Sequence, residues 1–306
     1  MPEVSIIITT HARPRLLPRA VESARAAGPG VEVIVVDDAS TDETAEVCRG
    51  LEGIRYVRVE RNQGVAGARN VGLIESEGEF VSFLDDDDVR LPGSLDAQLA
   101  ALRAEPGAAL VYGQALYDEG IDRSGADRYP QTCPRGDVFW PLLARNFIPC
   151  GAAVFRRSCL YAAGLLERSI AGVDDWDLWV RIAALYPVAA SGEPAVVWRR
   201  PAPGSDQGSE RAVEMVALST RQFQRRWMKL PRAARADARQ RREAWRQFSK
   251  NMASHLAFEA ARSLTSGHVM RAHRCAFAAL SMHPRGLALR ALEGLTSKPP
   301  AAAQGS

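Results

Sequence analysis

FVSFLDDDD, residues 80–88, sets four carboxylates in a row directly behind an apolar run. Val81 and the phenylalanines Phe80 and Phe83 have the β-branched and aromatic character of a buried strand. A strand that delivers Asp85, Asp86, Asp87 and Asp88 together holds like charges at close range, which is costly unless a cation neutralises them. Hard oxygen ligands in an incomplete shell suit Mn²⁺ or Mg²⁺, with phosphate oxygens of a substrate completing the coordination. The stretch therefore points to a divalent-metal site that holds a diphosphate. A solvated Asp-rich turn capping a helix after Leu91-Pro92 accounts for the same residues, so the surrounding sequence has to separate the two readings.

Toward the N-terminus, strand and helix signals alternate. Val4–Thr10 is β-rich, a His11–Pro14 turn follows, and a helix is predicted from about Leu16 to Ala26. Val31–Val36 is a β-branched run of the kind buried on both faces of a parallel sheet. Ser40-Thr41-Asp42-Glu43 has capping-box spacing, so a helix is expected to start there. Ile54–Val59 predicts a strand, Ala66–Glu75 a helix, and Phe80–Leu84 the strand that delivers the aspartates. Such alternation implies an α/β fold, a mainly parallel central sheet flanked by helices. In these sheets ligands bind beyond the carboxyl ends of the strands, where Thr9, Asp37, Asp38 and the aspartate run all fall. That coincidence favours the metal–diphosphate reading.

From Gly107 to Trp198 the pattern loosens. Strands are predicted at Ala108–Tyr112, Ala152–Phe155 and Ala195–Arg199, and a helix across Trp176–Leu185. Pro201–Gly208 reads as a mobile loop. Beyond Ser209 the chain is helical in broken segments, at about Glu210–Trp227, Ala233–Phe248, Met252–Leu264, Val269–Met282 and Leu287–Leu295. The expected division is a catalytic domain over 1–205, a C-terminal helical extension over 206–298 and a disordered tail over 299–306.

At 306 residues with 46% hydrophobic content, the chain is long and apolar enough for a sizeable core. Met1-Pro2-Glu3 lacks the basic region of a signal peptide, and no run of 18 uncharged apolar residues predicts a membrane span. Cys48, Cys133, Cys150, Cys159 and Cys275 form no CxxC pair and read as reduced thiols of a cytoplasmic protein. The net charge of +3 is uneven: Arg199–Lys250 holds 14 Lys/Arg against 5 Asp/Glu, a local +9, leaving −6 elsewhere. Such a segment is a solvated helical face, a seat for an anionic membrane surface, or a nucleic-acid patch. No recognised nucleic-acid module accompanies it, so no nucleic-acid partner is expected.

Five stretches in order resemble one family: VSIIITTHAR (4–13), EVIVVDDASTDET (32–44), RNQGVAGARNVG (61–72), EGEFVSFLDDDDVRLP (77–92) and GVDDWDLWVR (172–181). Together they are similar to the family 2 glycosyltransferases over about residues 4–200. The resemblance implies a nucleotide-diphospho-sugar transferase fold and inversion at the anomeric carbon. It makes Asp85 and Asp87 the DxD motif, with Asp87 the metal ligand and Asp85 or Asp86 against the ribose or the sugar. A cation there stabilises the charge that grows on the departing nucleotide diphosphate. Thr9 and Asp38 resemble ribose- and base-contacting positions, although turn and N-cap duty explains them equally. Arg69 and Asn70 resemble a donor-side pair, with a solvated helical arginine as the plainer reading of Arg69.

Asp174-Asp175 stands where family members carry Glu-Asp at the start of an acceptor-facing helix. The resemblance makes Asp175 the general base that takes the acceptor hydroxyl proton, with Asp174 beside it as an acceptor-binding residue. Both acids also suit a helix N-terminus, whose dipole is expected to keep Asp175 ionised. Trp176 and Trp179 are candidates for stacking on a sugar, with core packing favoured for at least one, and Asp177–Arg181 looks like a structural helix pair.

The chain departs from the family at Thr9-Thr10-His11-Ala12, where Pro-Thr-Tyr-Asn is frequent, leaving base stacking to His11. Arg199-Arg200-Pro201 replaces a frequent donor-site His, which offers Arg200 to the diphosphate. QFQRRW (222–227) fails the QxxRW spacing of processive synthases, since Phe223 stands where Gln is required. The resulting expectation is metal-dependent, inverting, non-processive transfer of a sugar from a nucleotide-diphosphate donor, UDP by family analogy. The acceptor is a glycan or a lipid-linked glycan, and the protein is cytoplasmic or peripheral at the inner face of the membrane. A non-catalytic nucleotide-sugar-binding scaffold of the same fold is the alternative. A nucleotidyltransferase lacks its glycine-rich basic loop here, and a nicotinamide enzyme its GxGxxG.

Overall fold

A computed structural model describes residues 1–117, 127–199 and 211–283. The chain begins β1 (Val4–Thr10), α1 (Leu17–Arg25), β2 (Val31–Asp37), α2 (Thr44–Gly50), β3 (Ile54–Arg58), α3 (Gly64–Glu75) and β4 (Phe80–Asp85). It continues β5 (Val89–Arg90), α4 (Ser94–Ala104), β6 (Leu110–Tyr117), β7 (Arg128–Tyr129), α5 (Phe139–Ala144), β8 (Ala153–Arg156), α6 (Leu160–Ala163), α7 (Asp174–Leu185) and β9 (Val188–Trp198). Helices α8 (Ala212–Arg225), α9 (Pro231–Ala234), α10 (Ala238–Thr265) and α11 (Val269–Met282) follow.

The strands form one sheet in the order β3-β2-β1-β4-β8-β6-β9-β5, with β7 on β6. The first four are parallel, as their near-continuous apolar runs demand. Beyond β4 the sheet is mixed: β8 runs antiparallel to both β4 and β6, and β9 returns parallel to β6. One face packs Ile6, Ile8 and Val33 on Leu17 and Val21 of α1 and Leu95 and Leu99 of α4. On the other, α3 approaches β1 so closely that a Cβ on Gly72 would lie 2.3 Å from Ile7 Cγ2. Phe83, Phe155 and Trp179 fill the space beside it, with ring centroids 5.5–6.4 Å apart.

Parallel register brings the strand ends level. Thr9 lies opposite Asp85, and Thr10 opposite Asp37. Behind β4, the buried Arg90 guanidinium has neutral partners: Ser82 Oγ at 2.6 Å, the Gly151 carbonyl at 3.0 Å, Ser94 Oγ at 3.2 Å and the Gln98 side chain. Burial pushes its pKa down to about 9.

Three expectations change. No capping box forms at the start of α2: Asp42 Oδ1 accepts from Thr44 N at 3.1 Å, while Ser40 Oγ is used by the Ala12 amide at 2.9 Å. The strand expected from Ala195 starts at Val188, because β9 bulges at Ser191-Gly192-Glu193 opposite the single residue Gly113 and stays paired with β6; a Cβ on Gly113 would lie 2.6 Å from the Glu193 carbonyl. The helices expected at 233–248 and 252–264 are continuous as α10, since Ser249-Lys250-Asn251 contains no breaker and Phe248, Met252 and Leu256 extend one buried stripe.

Among the described residues, 1–117, 127–199 and Arg221–Arg235 make one compact unit, and 211–220 and 236–283 a second. Within the second, α10 and α11 meet through small buried side chains, among them Ala253, Ala260, Ala272, Cys275 and Ala279. The segments 201–208, 287–295 and 299–306 and Arg200 lie outside the described residues.

Candidate active site

The ends of β1 and β2 make a cross-linked pair of loops. His11 Nδ1 lies 2.8 Å from the Asp38 carbonyl. A carbonyl only accepts, so Nδ1 carries the proton and the exposed ring is held in place. The Asp38 carboxylate accepts from the Gln63 amide at 2.7 Å, and buried Asp37 accepts from Tyr56 OH and the Ser40 amide, each at 2.9 Å. Ala12 (φ 52°) and Ala39 (φ 60°) both sit in the left-handed region, an uncommon conformation for residues with a Cβ. Thr9 is buried between these loops at the end of β1.

The aspartates close the site from β4. Asp86 accepts from Thr10 Oγ1 at 2.7 Å, and Arg13 NH1 bridges Asp86 at 3.0 Å and Asp87 at 3.2 Å. Asp88 accepts from the Arg199 amide at 3.1 Å. Burial pushes Asp86 up to about 6. Burial, then the neighbouring Asp85, push Asp88 up to about 8. The loop is therefore short of positive charge, and its hard oxygen donors fit a divalent cation. Among the described residues no three His, Cys, Asp or Glu side chains converge as a metal cage. An ion would thus be held by one or two carboxylates and by substrate oxygens, the manner in which Mg²⁺ is commonly bound.

The second centre opens α7. Arg69 of α3 is buried and spans both centres, donating to Asp174 Oδ2 at 3.0 Å and to Asp85 Oδ1 at 2.7 Å, with its guanidinium 5.2 Å over the Phe83 ring. It is therefore not a solvated helical arginine. Asp175 accepts from the Trp176 amide at 2.6 Å. Burial, then Asp174, push its carboxyl up to about 7. The expectation that the helix dipole holds Asp175 ionised is corrected here, because desolvation outweighs it. The thiol of Cys150, pushed well up by burial, lies among these charges.

Three candidates face elsewhere. Asn70 uses its whole amide on the Leu166 backbone, donating to the carbonyl and accepting from the amide, each at 2.9 Å. Trp176, read as facing an acceptor, is only 6% exposed. Its indole donates to the Leu142 carbonyl at 2.7 Å and packs on Trp227 at 4.9 Å, so an apolar ring is spent on the core. Trp179 is buried as well. Asp177 pairs with Arg181 at 2.8 Å and also accepts from Trp227 Nε1 at 2.8 Å. Sequence reasoning missed Arg13 and Cys150; only Arg13, a cation just past a strand parallel to β4, carried a usable signal.

Strand ends thus gather carboxylates, two basic residues and a second acidic centre on an α/β scaffold, and comparison with known proteins gives the family. The profile described as "Glycosyl transferase family 2" matches residues 5–161, and the chain belongs to that family. It is 30% identical over 237 residues to the succinoglycan biosynthesis protein ExoU of Rhizobium meliloti, covering 71% of this chain and 67% of that protein. It is 38% identical over 125 residues to the GalNAc(5)-diNAcBac-PP-undecaprenol beta-1,3-glucosyltransferase of Campylobacter jejuni, covering 39% of this chain and 40% of the relative. The chain thus matches well under half of that relative's length. In fold it is similar to S. aureus TarS 1-349 in complex with UDP, with a TM-score of 0.53, 14% identity and 90% of each chain covered.

Proposed function

We propose that the chain transfers a sugar from a nucleotide-diphosphate donor to a hydroxyl of a glycan or lipid-linked acceptor, with inversion and without processivity. The observation that carries this reading is Arg69, which fixes Asp85 of the donor loop and Asp174 beside Asp175 on one buried guanidinium. A donor carboxylate cluster and a poised proton acceptor are thereby held at a set separation, as displacement of a diphosphate by a hydroxyl requires.

In this reading His11 stacks on the base, with Thr9 and Asp38 on the nucleoside and Asp85 and Asp86 on the ribose or sugar. Asp175 takes the proton of the attacking hydroxyl; a carboxylate with a pKa near the working pH accepts it most effectively. Asp87 would hold Mn²⁺ or Mg²⁺, which would supply Lewis-acid stabilisation to the departing diphosphate. Arg13, already within reach of Asp86 and Asp87, shares that neutralisation. UDP is the nucleotide favoured by the family analogy and by the UDP and UDP-GlcNAc complexes of TarS. A lipid-linked or polysaccharide acceptor follows from the names of the two relatives. No described helix is long and apolar enough to cross a membrane. The +9 segment Arg199–Lys250 suits peripheral contact with an anionic membrane surface. The assignment of 1–205 to catalysis and 206–298 to a helical extension belongs to the same proposal.

Calorimetric titration of UDP, GDP, dTDP and CDP, with and without Mn²⁺, tests the donor site. One nucleotide is expected to bind with Mn²⁺ and to lose that dependence in Asp87→Ala. Binding of none would remove the reading. Binding with neither donor hydrolysis nor transfer would favour the non-catalytic scaffold.

A further inference from the structure

Three rings meet at the carboxyl-terminal edge of the mixed half of the sheet. Tyr117 ends β6, Tyr129 ends β7 and Trp198 ends β9. The Trp198 ring centroid lies 5.4 Å from that of Tyr117 and 5.5 Å from that of Tyr129. Arg145 lies 5.4 Å over the opposite end of the cluster, on the Tyr129 ring. The cluster has a link toward each of the two carboxylate centres. Its Trp198 side is tied to the donor loop, because the next residue's amide donates to Asp88 at 3.1 Å. Its Tyr129 side is close enough to Asp175 for that carboxylate to act on the phenol.

The clusters Phe83–Phe155–Trp179 and Trp176–Trp227–Phe223 are buried and explained by packing. This one is not buried: Tyr117 is 38% exposed, Tyr129 and Trp198 are half-buried, and Arg145 is exposed. The hydroxyl of Tyr129 donates to the Asn146 carbonyl, which locks its ring. The Tyr117 hydroxyl and the Trp198 indole N–H have no hydrogen-bond partner among the described residues. Trp198 rests partly on the sheet's core, so the accessible part of the cluster is the exposed Tyr117 ring with the outer parts of Trp198 and Tyr129. Aromatic rings with unused polar tips on Tyr117 and Trp198 match a pyranose, which offers an apolar C–H face and a rim of hydroxyls.

We propose that Tyr117, Tyr129 and Trp198 form a carbohydrate subsite for the acceptor, with Arg145 pairing an anionic group, a phosphate, joined to that sugar. The proposal rests on the transferase reading and specifies its acceptor: a sugar stacked on the aromatic edge so that its hydroxyl faces Asp175. A guanidinium suits a phosphate because it offers forked donors and stays charged.

Saturation-transfer NMR tests it with octyl glycosides of glucose, galactose, N-acetylglucosamine and N-acetylgalactosamine, each with and without a diphosphate between octyl chain and sugar. UDP with Mn²⁺ is titrated into the same samples. At least one diphosphate glycoside is expected to bind the wild type. Trp198→Ala and Tyr117→Ala should each weaken it about tenfold, with UDP affinity held within about twofold. Arg145→Ala should bring the diphosphate form down to the level of the plain glycoside. Tyr117→Ala, at an exposed position, keeps the test decisive if Trp198→Ala fails to fold. A wild type that binds UDP but no glycoside, or ring variants that bind both probes normally, would overturn the subsite. Equal weakening of both forms by Arg145→Ala would overturn the phosphate contact. Absence of UDP binding would instead strike the transferase reading itself.

Discussion

The aspartate loop after β4 and the start of α7 crowd the same kind of side chain, and they compensate the crowding differently. In the loop the guanidinium that bridges Asp86 and Asp87 belongs to Arg13, whose side chain is 40% exposed. At α7 it belongs to Arg69, whose side chain is 6% exposed and shared with a fully packed Asp174. Compensation drawn from the surface can be exchanged when a cation or a diphosphate arrives. Compensation from a buried arginine cannot, so Asp174, the neighbour of Asp175, is held in one geometry. In the proposed reading, the difference separates a place for charge that comes and goes from a place for a proton.

The largest effect should come from the proton side. Asp175→Asn is expected to lower kcat about 10³-fold while nucleotide affinity stays within about twofold, read by nucleotide release and by calorimetry. Comparable loss of UDP binding would mean that the two centres do not divide the work. Next, Arg69→Met leaves Asp174 and Asp85 without their shared partner. Breaking a buried pair from one side costs about 3–5 kcal/mol, so urea unfolding should lose stability of that order. A loss below about 1 kcal/mol would show that Arg69 is dispensable to the packing.

The pH dependence sharpens the contrast. Asp175 is pushed up to about 7, so between roughly pH 4 and 7 the folded state holds a proton that the unfolded chain releases. Its contribution to stability is therefore complete below that window and falls as pH rises through it. Proton abstraction needs the ionised form, so kcat/KM should climb about tenfold per unit below 7 and level off above it. A flat profile from pH 5 to 8 would rule out this carboxylate as the base. Smaller again, Asn70→Ala should cost about 1–2 kcal/mol through its two backbone bonds and leave nucleotide affinity unchanged. A selective loss of affinity would return Asn70 to the donor site. The least change is expected from Arg13→Ala in the nucleotide-free protein. Stability should stay within about 1 kcal/mol, and Mn²⁺ affinity, followed by electron paramagnetic resonance, should not fall.

The parallel half of the fold was legible because its signal is local. Val4–Thr10, Val31–Asp37 and Phe80–Asp85 are apolar runs that end in polar residues, so each strand announces where its loop begins. In the mixed half, the segment from Val188 to Trp198 passes through Ser191-Gly192-Glu193-Pro194, where the strand bulges against β6, and that pairing has no local sequence signal. The site divides similarly. Carboxylates in sequence runs could be read directly, whereas Arg13, Cys150 and the aromatic edge take their meaning from neighbours far along the chain. Trp176 misled because a tryptophan beside two acids has the same sequence whether it faces a sugar or Trp227.

The bond from Trp227 to Asp177 ties the start of α7 to a residue 50 positions further on. At the ribosome, adding that length takes on the order of a few seconds at about 5–20 residues per second. The strands of the donor half are therefore all made well before the brace on the helix that carries Asp174 and Asp175. Synthesis makes the parallel strands first and the brace on α7 last, and a chain cut after Ser205 would carry the acids without the residue that steadies their helix.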